Sequence, residues 1–474
     1  MTIKPSKIVV VILSGGSGSR LWPVSRENYP KPFIRLSDGQ SLLQKAFLRA
    51  LHLQGVVEII TVTNRDHLFI TLDHYETLND RNINVEFILE PFGKNTAPAI
   101  LAAAIQIIER HGPETMMLVL PADQLVEDQV AFEKAVDDAL KLALQDKLVT
   151  FGIKPHAPDT SFGYLEVEGS SVKSFIEKPD IDNAKKYVNQ KNFFWNSGMF
   201  VFPIKTFLAE AKTHMNLLYQ QVESTISSSH YQEPNRLFLD PEIFKLIIGD
   251  SIDYALLEKT AALAVVTCDL GWSDLGSWET LTNLSPPDAM GNRVHGKSLL
   301  VNTENSSVYG GDRLVGMVGM HNTIVVETAD AVLVVDKKHT QEVKSLYAEL
   351  KRMNNDIYSS HKKVYRPWGN FTVLVETPTF KVKHVFVKPG HELSLQKHKF
   401  RAEHWVVVKG VATVINNGKK ILLKEDESTY ISKGHIHQLL NEQTSMLEFI
   451  EVQSGEYLGE DDIERINDKY NRLS

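Results

Sequence analysis

The first third of the chain repeats one pattern, a short and nearly continuous apolar run followed by a helical stretch. The runs are IVVVIL (8–13), EIITVTN (58–64), NVEFILE (84–90), TMMLVLPAD (115–123) and LVTFGI (148–153). Runs this short, with little polar alternation, predict strands buried on both faces. Helices between them predict a mostly parallel sheet covered on both sides. NTAPAILAAAIQIIERHG (95–112) is the clearest helix. Asn95 or Thr96 caps it, Pro98 suits its first turn, and Gly112 ends it. The pattern runs to about residue 280, and LSPPDAMGN (284–292) marks a boundary. From 293 to 335 short apolar runs separated by glycines predict an all-β piece, followed by a polar helix near 340–356. SSHKKVYRPWGN (359–370) reads as a linker. FTVLVET, FKVKHVFVK, HWVVVKG, VATVIN, STYIS and MLEFIEVQ then predict a barrel or jelly roll. GEDDIERINDKY (459–470) reads as a short terminal helix.

A chain of 474 residues is too long for one ordinary core. Its net charge of -8 argues against neutralising a nucleic-acid backbone, so no nucleic-acid partner is expected. The one cysteine, Cys268, lies in the apolar run AALAVVTCDL and reads as a core thiol. That usage points to the cytoplasm. IVVVIL is too short to span a membrane, so no membrane partner is expected.

The first apolar run leads into SGGSGSRLWPVSRENYPKP (14–32). It lacks the Lys-Ser or Lys-Thr of a P-loop. Gly16 and Gly18 start a dinucleotide fingerprint, but Leu21 stands where its third glycine belongs. What remains is a flexible loop after a parallel strand, where backbone N–H groups can meet phosphate and Arg20 and Lys31 add positive charge. A glycine/serine-rich surface turn is the alternative. Asp123 ends a strand in VLPAD, and Asp274 lies between two tryptophans in LGWSDLGSW. Two carboxylates beside such a loop suit phosphate chemistry through Mg²⁺.

LQKHKFRAEHW (395–405) and STYISKGHIHQLLN (428–441) hold a second constellation. Gln396 and His398 share a face if extended. With Glu403 from the same region and His437 from a later strand, they could hold a divalent ion. A polar β face is the alternative. By parity Lys397 and Lys399 point away from Gln396 and His398, while Phe400 points inward with His398.

SGGSGSRLWPVSRENYPKP resembles the signature of sugar-phosphate nucleotidylyltransferases. LEPFGKNTAPAI (89–100), VLPADQ (119–124), FGY (162–164), FIEKP (175–179), NSGMF (196–200) and GWSDLGSW (271–278) narrow the resemblance to mannose-1-phosphate guanylyltransferases. The segment from Gly390 through Gln396, His398 and Glu403 to Gly410, with Gly434, His437 and Asn441, is similar to the two motifs of cupins. RAEHW, ESTYI and IEVQSGEYLGEDDI resemble the isomerase domain of the bacterial bifunctional type II enzymes. These join GDP-mannose pyrophosphorylase to mannose-6-phosphate isomerase.

The resemblance implies a Rossmann-like, GT-A-like α/β nucleotidyltransferase domain (1–285). A short left-handed β-helix-like segment with a linker helix (286–357) and a cupin β-barrel (358–474) follow. The implied reactions are GTP plus α-D-mannose 1-phosphate to GDP-mannose and diphosphate, and mannose 6-phosphate to fructose 6-phosphate. Leu13, Ser14, Gly15, Gly16, Gly18, Arg20 and Lys31 then bind nucleotide, with Arg20 and Lys31 catalytic. Gly163, Glu177, Lys178 and Asn196 bind the sugar phosphate, and Asp123 and Asp274 hold Mg²⁺. Gln396, His398, Glu403 and His437 hold the isomerase metal, such as Zn²⁺, Co²⁺ or Mn²⁺, and Arg401 is catalytic. The β-helical piece implies a packing or dimer role, so a homo-oligomer is allowed. Gln124 departs from the family, which often has histidine there; Lys397, Lys399 and Phe400 depart in the isomerase run. Two alternatives are a guanylyltransferase whose cupin is inactive and a non-enzymatic sugar-nucleotide sensor or scaffold.

Overall fold

The computed structural model describes residues 7–16, 18–353 and 355–470. Ser17 of the glycine-rich loop lies outside them. The chain divides into two compact units, 1–358 and 359–474.

Four parallel strands centre the first unit: β1 (Ile8–Ser14), β2 (Val56–Asn64), β3 (Asn84–Glu90) and β4 (Met116–Pro121), in the order β3-β2-β1-β4. β1 is buried along nearly its whole length because both faces are covered. Val9 and Val11 pack in one cluster with Ile60, Val62, Ile88 and helix α1 (Thr96–His111). The alternate residues Val10 and Ile12 are buried on the opposite face. Asn95 caps α1, its Oδ1 accepting from Thr96 N–H at 2.9 Å, and Gly112 closes it at φ 86°. Beyond β4 the sheet turns mixed. Phe193–Pro203 runs antiparallel to both β4 and Leu148–Ile153, and Leu148–Ile153 pairs in parallel with Leu263–Cys268. Among the described residues the sheet has eleven strands. Cys268 is only half-buried, because it sits at the last position of its strand rather than in the core.

Residues 293–327 coil as stacked parallel strands, and Val332–Asp336 then returns antiparallel to Thr323–Glu327. Arg293–His295 pairs with Ser307–Tyr309, which pairs with Thr323–Glu327, while Ser298–Val301 pairs with Val315–Val318. Helix Val343–Arg352 follows.

The second unit is a pair of antiparallel sheets, six-stranded and five-stranded among the described residues, around a core of Trp405, Val407, Val414, Leu439 and Phe449. The expected α/β sheet, β-helical coil and C-terminal cupin-like β-fold are all present. Two local expectations fail. The terminal segment is not a helix: Ile463–Asn467 is a strand paired with Leu395–His398. An open sheet edge satisfies its backbone there, which outweighs a helical propensity in an otherwise polar tail. The presumed linker also contains strand Lys363–Arg366, paired with Gly369–Glu376 for the same reason.

Among the described residues no helix is long and apolar enough to cross a membrane.

Candidate active sites

A cleft of about 380 Å³ opens at the C-terminal ends of the parallel strands. Gly18, Arg20, Lys31, Asp123, Gly163, Glu177, Asn196 and Asp274 all line it. Lys31 is its junction. The buried Nζ lies 3.0 Å from Asp123 Oδ2 and also donates to the Asp274 carbonyl. Gly18 has φ 63°, and a Cβ there would fall 2.6 Å from Lys31 Cβ, so only glycine lets the loop close on the lysine. Burial pushes the Asp274 carboxyl above its ordinary range; Lys31 pulls it back and Asp123 pushes it further. Two carboxylates lining one cleft fit a hard divalent cation.

Elsewhere in the cleft, Asn196 Oδ1 accepts from Thr150 Oγ1 at 2.7 Å and its Nδ2 donates to Asp253 Oδ1 at 2.9 Å. Gly163 brings the backbone against Glu177 Oε2, where a Cβ would clash. Lys178 is exposed, ion-paired with Glu177 at 3.0 Å, and outside the lining. Leu13, Ser14, Gly15 and Gly16 also lie outside it, at the end of β1, with Gly15 and Gly16 exposed. Gln124 is buried and bridges two walls: Nε2 donates to the Ser197 carbonyl at 2.6 Å, and Oε1 accepts from Trp272 Nε1 at 2.9 Å. Sequence reasoning missed Asp253, which has no motif around it, and Phe162 and Trp272 as lining residues. Burial and the Glu177 charge push the Asp253 carboxyl up to about 7.

In the second unit, potential ligand atoms of His398, Glu403 and His437 lie within 4.8 Å of one another, all buried. His398 Nε2 is 3.1 Å from Glu403 Oε1 and 3.4 Å from Gln396 Nε2. Strand pairing places Gln396 opposite His437. His437 Nδ1 lies 2.9 Å from the His435 carbonyl, so Nδ1 carries the proton and Nε2 presents a lone pair. That Nε2 has no hydrogen-bond partner among the described residues. Burial also lowers the His437 pKa, against the pull of Glu403, which keeps the ring neutral as a ligand must be. Burial pushes the Glu403 carboxyl up, but the His398 hydrogen bond and the electrostatic pull of its neighbours, Arg401 among them, hold it well below the carboxylate range. A neutral imidazole, an ionised carboxylate and an unused buried nitrogen fit a divalent metal.

Arg401 Nε lies 3.3 Å from Glu403 Oε1, and its Nη1 donates to the Gly459 carbonyl at 2.8 Å. A cavity of about 50 Å³ beside them is lined by Gln396, Arg401 and Glu403, with Lys383, Glu451 and Gln453 among its other walls. Burial and the Glu403 charge push Glu451 up to about 7. These last three were missed, although Lys383 shares parity with buried Val385, and Glu451 and Gln453 with buried Phe449.

Phe400 does not face the site. It is 40% exposed, edge-on to Tyr457, with the Lys399 ammonium over its ring. Strand alternation ends at His398, because the Asp462 carboxylate accepts the N–H groups of Lys399 and Phe400 and bends the chain. Lys397 pairs with Glu464 at 2.9 Å.

Residues 9–289 match the nucleotidyl transferase family. Residues 296–350 match the MannoseP isomerase/GMP-like beta-helix domain, and 353–468 the mannose-6-phosphate isomerase C-terminal family. The chain is 43% identical over 471 residues to the xanthan biosynthesis protein XanB of Xanthomonas campestris pv. campestris (strain B100), covering 98% of this chain and 100% of the relative. It is 41% identical over 474 residues to a mannose-1-phosphate guanylyltransferase of Escherichia coli, with the same coverage. The structure of a mannose-1-phosphate geranyltransferase from Thermus thermophilus superimposes with a TM-score of 0.64 at 29% identity, over 73% of this chain and 99% of that one. Two separate constellations, each on the fold its family uses, thus lie on one polypeptide, and the chain belongs to the nucleotidyl transferase family in its bifunctional type II form, which adds a mannose-6-phosphate isomerase domain.

Proposed function

We propose that the chain is a mannose-1-phosphate guanylyltransferase coupled to a mannose-6-phosphate isomerase. The convergence of Lys31, Asp123 and Asp274 on one cleft, opposite Glu177 and Asn196, carries the first activity. A phosphate oxygen of α-D-mannose 1-phosphate attacks the α-phosphorus of GTP. The bond from that phosphorus to the oxygen bridging it to the β-phosphorus breaks, and diphosphate leaves. The nucleophile is already anionic, so alignment and charge neutralisation are the main tasks. Lys31 and Arg20 neutralise the triphosphate, and the backbone from Leu13 through Ser14, Gly15, Gly16 and Gly18 borders the nucleotide. Gly163, Glu177, Lys178 and Asn196 orient the sugar phosphate. Asp123 and Asp274 hold Mg²⁺, which supplies charge neutralisation at the phosphates.

In the second unit Gln396, His398, Glu403 and His437 hold a divalent metal such as Zn²⁺, Co²⁺ or Mn²⁺, which supplies Lewis acidity toward the substrate oxygens. A proton moves between C2 and C1 of mannose 6-phosphate as fructose 6-phosphate forms. Arg401, buried and held by Glu403 and the Gly459 carbonyl, steadies the developing negative charge. The outward position of Phe400 supports this reading, since its ring does not occupy the space beside His398. We divide the chain functionally near residues 285 and 357 and place both reactions in the cytoplasm, where GTP and sugar phosphates are found.

One preparation tests the reading. Diphosphate release should require GTP, mannose 1-phosphate and Mg²⁺. Fructose 6-phosphate formation should cease with chelator and return with added metal. Failure of every metal to restore it would leave the guanylyltransferase alone.

A further inference from the structure

The loop 18–35 carries both Arg20 and Lys31, and residues of the 330–358 region grip it. Arg26 is fully buried. Its Nε donates to the Pro23 carbonyl at 2.8 Å, its Nη2 pairs with Asp330 at 2.9 Å, and its Nη1 donates to the Ile357 carbonyl. The guanidinium lies 5.5 Å from the centre of the Trp22 ring. Glu27 N–H donates to the Tyr358 carbonyl at 3.2 Å, and Lys351 pairs with Glu27 at 3.0 Å. Next to Arg26, Ser25 Oγ donates to the Gly18 carbonyl at 2.6 Å, which ties the anchored stretch to the turn before Arg20. Arg26 and Tyr29 bridge each other's backbone, just before Lys31. Arg20 Nη1 donates to Oε1 of the exposed Gln341 at 3.1 Å. A buried guanidinium is costly unless paired and hydrogen-bonded, so the partners of Arg26 select one loop conformation among many.

We propose that the β-helical segment and the helix after it are a positioning element of the transferase, with the buried Arg26–Asp330 pair setting the loop that presents Arg20 and Lys31 to the cleft. The proposal rests on the guanylyltransferase reading. Gln341 contributes by holding Arg20 through a hydrogen bond to a neutral acceptor, which a charged phosphate oxygen can replace with a stronger one.

Full-length Asp330→Asn, Asp330→Glu and Gln341→Ala test it through diphosphate release, with a thermal melt of each variant as the folding control. For Asp330→Asn, kcat should fall about tenfold or more, as misaligned reacting groups do, with KM for mannose 1-phosphate little changed. Asp330→Glu, which keeps the charge, should recover part of the loss. Gln341→Ala removes only an exposed amide and should raise KM for GTP about threefold at unchanged kcat. A folded Asp330→Asn protein with wild-type kcat overturns the proposal. If that variant does not fold, an unchanged KM for GTP in Gln341→Ala overturns it. A wild-type protein that releases no diphosphate overturns the transferase reading itself.

Discussion

Glu90 ends β3 with its carboxylate buried and Oε1 without a hydrogen-bond partner among the described residues. Burial alone pushes its pKa up to about 8. The folded state therefore holds this proton more tightly than the unfolded chain does. The sign follows: stability from this group is full at low pH, falls as pH rises above the unfolded carboxylate value, and levels off above about 8. Glu90→Gln removes that fall. The variant should match wild type near pH 4 and exceed it near pH 9 by an amount on the order of 2–5 kcal/mol. Urea denaturation at the two pH values checks this, and an equal difference at both would refute it. Nothing in NVEFILE announces such a residue, because a glutamate at a strand end reads as exposed until the helices close over it. Phe400 shows the reverse error. Parity put it inside, and one carboxylate 62 positions later, Asp462, turned it out.

Strands and helices with strong periodicity were legible from spacing alone. Helix α1 has the limits its caps indicate, and the inward positions of FKVKHVFV and LEFIEVQ follow a period of two. Elements that owe their form to a partner were not legible. Strand Ile463–Asn467 exists because Leu395–His398 offers it an edge. Asp462, just before that strand, fixes where the strand carrying His398 ends. Asp462→Ala should cost about 1–3 kcal/mol, the usual loss for hydrogen bonds to a charged group. It should also raise the isomerase KM, as His398 loses its fixed backbone. Urea denaturation, with isomerase kinetics beside it, measures both. An unaltered KM would mean that His398 is held by other contacts.

At the scale of the molecule, the two constellations lie in separate compact units, each with hydrophobic core of its own. The activities should therefore be separable by single substitutions. Asp123→Asn should lower diphosphate release about a hundredfold or more, the scale expected for a lost charge-stabilising group, and leave fructose 6-phosphate formation intact. His437→Ala should do the opposite and abolish retention of metal, read by elemental analysis of the dialysed protein. Loss of both activities from either change would contradict the division. The sequence by itself determined the strand-helix alternation, the change to all-β texture, the family, and the candidate residues, because these depend on local periodicity and on motifs that survive as short strings. Only the tertiary structure decided that Asp123 and Asp274, 151 positions apart, meet at Lys31. It also decided that Asp253, Lys383 and Glu451 line the cavities, that Phe400 faces out, and that Arg26 finds its counter-ion at Asp330. Burial and long-range pairing arise from how distant segments pack, and no local spacing encodes them.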